Sequence, residues 1–400
     1  MESKKVKIYI SGNVGMEYFF FLEKTLGKLG YSVVSIYSVS EVKYRSLSKS
    51  NKFEKIKLRG YMYLLYPIKL IFVVLRSKKE SIFIITSNTF FTPYLISFLF
   101  SWKKIKVIHL LYDLFPDAIE IAGMIKTDSF ISKIVGQITK KNLSKCNSTV
   151  FLGDFLKSHA EFRWGVPNKA HVIDISTDLS LYKSVYVPAP NTPKIIIHYG
   201  GQLGYLHSPS DLIESVKYIN QSDIASFVEF NFYVSGANSK MLTDSLNEYP
   251  VKIISAVPSS EWRKDILNFH IGLVSLSPGG ATVCLPSKTY GMMAGGLAIL
   301  AIAPIWSDLS NLISTNKCGW VINNSIFSDQ REFNSGSYLS EVKQCRGSEN
   351  IANDFYLSLK DILINRDQLE AKRINSYNLV RAKYNIESVG EKWRDVINQV

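Results

Sequence analysis

The sequence lacks the patterns that mark metal and redox chemistry. Its four cysteines, Cys146, Cys284, Cys318 and Cys345, stand far apart, with no CxxC pair and no paired His/Cys spacing. That argues against a structural zinc site and a disulfide scaffold, and it fits a reduced compartment. There is no HExxH, no nucleophile elbow, no P-loop of GxxxxGK[ST] type, no complete GxGxxG and no DxD-type pair. Zincin, α/β-hydrolase and P-loop chemistry are therefore set aside, and no metal is expected. Charged residues make up only 20%, which argues against disorder, and 13 prolines and 23 glycines without a period exclude collagen-like and low-complexity classes. Long uninterrupted apolar runs are scarce. Ile82 to Phe100 is 19 residues without a formal charge, long enough to span a bilayer. Thr86-Ser87-Asn88-Thr89 and Pro93 divide it into strand, polar loop and helix. The charged start, Met1 to Lys5, leads straight into an apolar strand and does not read as a signal peptide.

What is present is a 400-residue chain with 46% hydrophobic residues, enough for two domains with their own cores. Its net charge of +13 is unevenly placed: residues 1–110 hold 19 basic and 6 acidic residues, and the rest holds 28 of each. A one-sided basic field attracts anionic lipid, nucleic acid or a phosphorylated substrate. Here the basic residues edge apolar aromatic runs. Tyr61 to Leu75 lies between Lys57, Arg59 and Arg76, Lys78, Lys79, and Phe90 to Trp102 precedes Lys103, Lys104 and Lys106. Apolar surface edged by lysine suits a membrane interface; buried helices with solvated ends give the same pattern. No nucleic-acid recognition module accompanies the charge.

The first half alternates apolar strands with helix-like periods. Strands are expected at Val6–Ser11, Tyr31–Tyr37, Ser81–Thr86, Ile105–Leu111 and Ser148–Leu152, and helices at Met16–Leu29, Tyr61–Leu75, Thr92–Phe100 and Phe130–Leu143. Continuous apolar strands between helices indicate an α/β class with both sheet faces covered. Pro188, Pro190 and Pro193 mark a linker over Tyr182–Pro193. A second unit follows, with strands at Ile195–Tyr199, Phe227–Ser235, Val251–Ile254, Ile271–Leu276, Ala298–Ile302 and Gly319–Ile322. A helical tail from Glu349 to Val400 breaks near Tyr384-Asn385. Domains are placed at 1–187, with 385–400 packing back, and at 188–384. Ligands of open sheets sit beyond the carboxyl ends of the strands.

Several segments together carry a resemblance. They are His109-Leu110-Leu111-Tyr112-Asp113-Leu114-Phe115-Pro116-Asp117, Trp164-Gly165-Val166-Pro167, Tyr199-Gly200-Gly201-Gln202-Leu203-Gly204, Val234-Ser235-Gly236 and Pro286-Ser287-Lys288-Thr289-Tyr290 leading to Met293-Ala294-Gly295-Gly296. In order and spacing the chain resembles the retaining glycosyltransferases of family 4, in the bacterial branch that builds lipid-linked surface polysaccharides. The resemblance implies the GT-B fold: two Rossmann-like domains facing each other across a cleft, with a C-terminal helix crossing back and Trp393 as its anchor. The sequence departs from the family where two glutamates eight positions apart are usual, because Val283 and Gly291 stand there. The second of those glutamates normally holds ribose hydroxyls. The usual lysine after the glycine loop is replaced within Tyr205-Leu206-His207-Ser208.

The resemblance gives these residues roles. Lys288, at an expected strand-to-helix junction, would neutralise charge on the leaving β-phosphate. Gly200, Gly201, Gly204 and Gly236 would let backbone approach the donor, with Gly280 as a strap, Gly295 close by and Gly15 facing the transferred sugar. Ser287 would cap the helix or touch phosphate, and Tyr290 would stack near the nucleotide or lie in the core. Asp113 would accept a hydrogen bond from sugar or acceptor, and His109 would handle a proton, though both also suit structural roles. No general base and no cofactor are assigned; departing phosphate taking the acceptor proton fits the shortage of a carboxylate pair.

The expectation is thus a glycosyltransferase that moves a sugar from a nucleotide sugar, UDP by family habit, to a polyprenyl-diphosphate-linked saccharide. It would sit in the cytoplasm on the inner face of the membrane, bound to its anionic surface. The rivals are an inactive paralogue that binds sugar or lipid, and a sugar-nucleotide epimerase.

Overall fold

A computed structural model of the chain describes residues 6–45, 51–329 and 345–400; the charged start at Met1–Lys5 lies outside them. The chain divides into two compact units, Met1–Ser176 with Ile386–Val400, and Thr177–Asn385.

The first unit is built on β1 (Lys7–Ser11), β2 (Val14–Gly15), β3 (Ser32–Ile36), β4 (Val39–Ser40), β5 (Ile82–Thr86), β6 (Lys106–Leu111), β7 (Ser148–Phe151) and β8 (Ala170–Val172). Six of these form a parallel sheet in the order β3-β1-β5-β6-β7-β8, and β2 pairs with β4. Side-chain alternation along the strands feeds two cores. Ile8, Ile10, Ile84 and Ile108 meet the helices Glu17–Lys28 and Ile386–Asn398. Tyr9, Phe83, Ile85 and Val107 meet Tyr66, Leu70, Val74 and Ile96 on the other face. Trp393 of the final helix, 3% exposed, is part of the first of these cores, so the last helix completes this unit.

The run read as strand, polar loop and helix is that: β5, then a turn, then the helix Thr92–Leu99. The helix expected over Tyr61–Leu75 begins earlier. It runs unbroken from Lys52 to Arg76, with Asn51 capping it by accepting from the Glu54 amide at 2.9 Å. Its buried residues are Leu58, Met62, Tyr66, Pro67, Leu70 and Val74, which apart from Pro67 recur every four positions. A repeat of four drifts ahead of a 3.6-residue turn, and the wide π-turn at Tyr61–Leu65 takes up the difference. Its outer side carries Phe53 (75% exposed), Ile56, Leu64 (68%), Leu65, Ile68, Phe72 and Leu75. The helix is long and apolar enough to cross a membrane. It also buries Tyr66, Leu70 and Val74 completely in the core. Crossing a membrane would strip that core of three side chains.

The second unit carries β9 (Ile195–Gln202), β10 (Val228–Ser235), β11 (Lys252–Ser255), β12 (Ile271–Ser275), β13 (Ala298–Ile302) and β14 (Gly319–Ile322). The order β11-β10-β9-β12-β13-β14 is the doubly wound 3-2-1-4-5-6 order of Rossmann sheets. The α/β class and two Rossmann-like units are therefore as expected.

The boundaries differ from the expected ones. The first unit ends at Ser176, not 187, and its returning segment starts at Ile386, not 385. The proline-rich stretch is no free linker. Its carbonyls have no neighbouring strand to pair with, and side chains of the helix Arg366–Lys383 take them instead. Arg366 donates to Thr192 O at 2.8 Å, Tyr377 to Ser184 O at 2.7 Å, and Arg373 to Val187 O at 3.3 Å. The helical tail breaks twice, at Asn365 as well as at Tyr384-Asn385, giving Ser348–Ile364, Arg366–Lys383 and Ile386–Asn398.

Candidate functional site

In the second unit, β9 pairs with β10 over eight positions but with β12 only at Ile271↔Ile197 and Gly272↔His198. Beyond those pairs the ends of β9 and β12 part. This is the topological switch point, where open sheets hold ligands. The loop after β12 straps onto the loop after β9: Ser277 N and Oγ both donate to Leu206 O, at 3.0 and 3.1 Å. Gly280 is required there, because a Cβ would stand 2.1 Å from that same carbonyl. Gly201, at φ +107°, turns the end of β9 in a conformation that side-chain-bearing residues rarely adopt.

Lys288 reaches this point from the helix Lys288–Ala294. Its Cδ lies 3.6 Å from the place a Gly201 Cβ would take, and its Nζ stands 3.5 Å from the centre of the Tyr199 ring. That Nζ is buried and has no hydrogen-bond partner. Burial pushes the ammonium down to about 7. A cation–π contact compensates only part of a cation's lost hydration, so this group is set to receive an anion. Two imidazoles border it. Burial first, and then the Lys288 charge, holds His207 at about 3; His207 gives Nδ1–H to Ser275 O at 2.5 Å. His198 is likewise held neutral, at about 3.

The other expected donor residues divide. Gly204 borders open space beside His207, and Gly236 brings its backbone against that of Leu203, so both belong to the switch-point loops. Gly200 is instead shaped by packing, with Trp262 Nε1 2.6 Å from where its Cβ would be. Gly295 faces Ile266 at 2.2 Å on the same measure, inside the unit. Tyr290 is buried edge-on to Tyr384, ring centres 4.9 Å apart, so the core side of that open reading is the one observed. Ser287 is exposed and makes no capping hydrogen bond, because its own backbone is already helical.

In the first unit the switch point lies at β1 and β5. Gly12 follows β1 and stands close to Thr86 at the end of β5. Asn13 gives its Nδ2 to Asn88 O at 3.2 Å, while Asn13 Oδ1 and Thr86 Oγ1 are buried without partners. Acceptors left this way suit the hydroxyl donors of a saccharide. Asp113, just past β6, is half-buried; its amide and that of Tyr112 both donate to Ser87 Oγ at 3.1 Å. Burial raises its carboxyl to about 6. Gly15 sits in β2 under the Tyr37 ring. His109 is not at the strand end. It lies within β6, 2% exposed, with neither ring nitrogen hydrogen-bonded, and burial lowers it to about 3. It stays neutral and enclosed, poorly placed to handle a proton.

Asp117 is a structural node. It accepts from His159 Nε2 at 2.9 Å, Arg163 at 2.8 Å and Trp164 Nε1 at 2.7 Å, and Arg163 also reaches Glu120 at 2.8 Å. Burial alone would raise its carboxyl; the hydrogen bonds and charges of His159 and Arg163 outweigh that and lower it. Among the described residues no group of three or more His, Cys, Asp or Glu side chains is placed to hold a metal.

Sequence reading put Gly12–Gly15 on the acceptor side without singling out Asn13, and it missed Thr86 and Asn88, although the polar break Thr86–Thr89 in an apolar run was their signal. Tyr199 stood in one of the family-like segments without a role of its own, and Trp262, which carries no local signal, was missed.

No family model matches the chain. Among curated proteins it is similar to the "probable glycosyltransferase WbjE" of Pseudomonas aeruginosa, 21% identical over 226 residues. That match takes in 54% of this chain, which spans about half the length (55%) of that relative. Among solved structures, sucrose-phosphate synthase from Thermosynechococcus elongatus superposes with a TM-score of 0.66 at 12% identity, covering 99% of both chains. Anabaena Alr3699/HepE, in complex with UDP and glucose, gives 0.65 at 10% identity over 99% of this chain and 100% of that one. TarM gives 0.58 at 17% identity over 83% and 58%.

Proposed function

We propose that the chain is a retaining glycosyltransferase resembling family 4. In this reading it moves a sugar from a UDP-sugar to a polyprenyl-diphosphate-linked saccharide in surface-polysaccharide synthesis. The observation that carries the reading is the buried, unpartnered Lys288 ammonium at the switch point of a Rossmann-like sheet. It lends itself to one role, holding the diphosphate and stabilising the charge that grows on it as the sugar leaves. The similarity to WbjE, and the UDP and glucose held by HepE, support that choice of substrate.

The second unit then takes the donor and the first the acceptor. Asn13, Thr86 and Asp113 accept hydrogen bonds from acceptor hydroxyls. The acceptor oxygen bonds to the anomeric carbon on the face from which the diphosphate departs. The carbon–oxygen bond to phosphate breaks with its electron pair going to the diphosphate, and the acceptor proton passes to that oxygen. No carboxylate nucleophile and no metal enter this route.

The protein works as a peripheral enzyme on the inner face of the cytoplasmic membrane. The apolar outer side of Lys52–Arg76, flanked by Lys55, Lys57, Lys69 and Arg76, supports that placement. Phe98 and Trp102 add exposed apolar surface to the same unit.

The test is a donor screen by calorimetry and by transfer to a lipid-linked acceptor, for the native chain and Lys288→Ala. Native binding of a nucleotide sugar with loss in the variant supports the reading. Equal binding by both chains overturns it. Donor binding without transfer to any saccharide would favour an inactive binding paralogue.

A further inference from the structure

Trp262 is held in the second unit by contacts that an ordinary packed tryptophan does not need. Its Nε1–H donates to His198 Nε2 at 2.8 Å. A backbone carbonyl can only accept, so neutral His198 turns Nδ1–H to Asn231 O, at 3.1 Å. The imidazole is itself stacked on Phe269, centres 4.5 Å apart. Two glycines make room for the indole. At Gly200 a Cβ would fall 2.6 Å from Nε1, and at Gly291 it would fall 3.0 Å from Cη2 and 3.0 Å from the Tyr182 hydroxyl. The ring is fixed in angle and height, and Trp262 as a whole is half-buried.

Its position carries the argument further. Gly291 follows Lys288 by three residues on one helix, so the two lie one turn apart on one side. The orphaned ammonium marks where an anion is held. Whatever is joined to that anion and extends along the helix meets the edge of the indole next. No carboxylate is offered at Gly291 to take sugar hydroxyls. An aromatic surface is offered in its place.

We infer that Trp262 is the nucleoside platform of the donor site, and that the base of a nucleoside diphosphate stacks on its indole while the phosphates take Lys288. The inference rests on the proposed donor site and names how its ligand is recognised. Stacking tolerates any base, so selectivity for the nucleotide follows the overlap of rings. His198 acts as a positioning residue, and Gly200 and Gly291 as the space the platform needs.

The experiment compares UDP and inorganic pyrophosphate by calorimetry on the full chain, as the native protein and as Trp262→Phe, Trp262→Leu and Lys288→Ala. Leucine keeps apolar packing without a π face; phenylalanine keeps a π face without the donor to His198. The expected result is UDP affinity lowered about 10- to 100-fold in Trp262→Leu and within about threefold in Trp262→Phe. Pyrophosphate affinity is unchanged in both, and Lys288→Ala loses both ligands. UDP bound equally by Trp262→Leu overturns the inference, as does parallel loss of UDP and pyrophosphate, which makes the indole purely structural. If the native chain binds pyrophosphate but gains nothing from UDP, the platform falls and the anion site stands. If it binds neither, the donor site itself falls.

Discussion

The Lys288 ammonium rests on the face of the Tyr199 ring at 3.5 Å, buried and with no hydrogen-bond partner. A charge held this way costs the folded protein stability until an anion arrives, so on the proposed donor role one contact governs both binding and pH behaviour.

Replacing Lys288 with methionine removes the cation and keeps the stem. The expected result is a fall of roughly 10²–10³-fold in kcat/KM, the range for losing one electrostatic stabiliser of a transition state. The folded state should not suffer, because an uncompensated buried charge is gone. Steady-state kinetics and thermal melts on the same preparation check both halves.

The sign of the pH effect follows from the direction of the shift. Lys288 titrates near 7 when folded and near its ordinary value of 10.5 when unfolded. Above about 7 the unfolded chain holds the extra proton, so stability rises with pH across that window, and Lys288→Met flattens the rise. Diphosphate restores the proton. Calorimetry at pH 8 in buffers of different ionisation enthalpy should show close to one proton taken up with UDP.

Asp113 carries the opposite shift. Burial raises it to about 6, so from the ordinary carboxylate value up to 6 the folded chain binds the extra proton, and stability falls as pH rises through that window. Acceptor use needs the carboxylate if Asp113 accepts a hydrogen bond from the acceptor hydroxyl. Activity should then lose ground below pH 6, and Asp113→Asn should remove that acid limb and cost about 10- to 100-fold in turnover, the worth of one hydrogen bond to a charged group. UDP binding should be unaltered.

Asp117→Ala should be the most destabilising of these changes, by about 3–5 kcal/mol, since His159 and Trp164 Nε1 lose their buried acceptor and Arg163 keeps only Glu120 as counter-charge. The lowered carboxyl places its stabilisation above the unfolded value and removes it as pH falls through the folded one. Urea titrations at pH 7 and pH 3 should show a smaller gap between native and variant at the lower pH.

Leu64, Ile68 and Phe72 are exposed on one helix, and changing all three to serine should leave folding nearly intact. Co-sedimentation with vesicles containing anionic lipid should drop about 10²-fold or more, because each buried side chain is worth about 1.5–3 kcal/mol. Retained sedimentation by the triple variant would remove this helix from the membrane account.

The strands were legible because a parallel sheet covered on both faces needs apolar residues nearly throughout, as Ile82–Thr86 and Ala298–Ile302 show. The first turns of Lys52–Arg76 were not, because Lys52 to Gly60 is rich in lysine and buries only Leu58. Lys288 could be placed by the company it keeps in sequence. Trp262 could not, because the glycines that seat it come from β9 and from the helix after Lys288. The enclosure of His109 could not be read either, because it comes from β5 and β7 on the two sides of β6. Gly12 and Thr86 meet only through the register of β1 with β5.

The chain leaves its first unit after Ser176 and returns to it at Ile386. A fragment ending at Ser176 would lack Val389, Trp393 and Val396, and would present their vacated seat beside Phe19 and Leu22 as bare oil-facing surface. Any chimera that trades sugar specificity between relatives therefore has two seams to match. The last fifteen residues must travel with the front of the polypeptide, far from them in sequence.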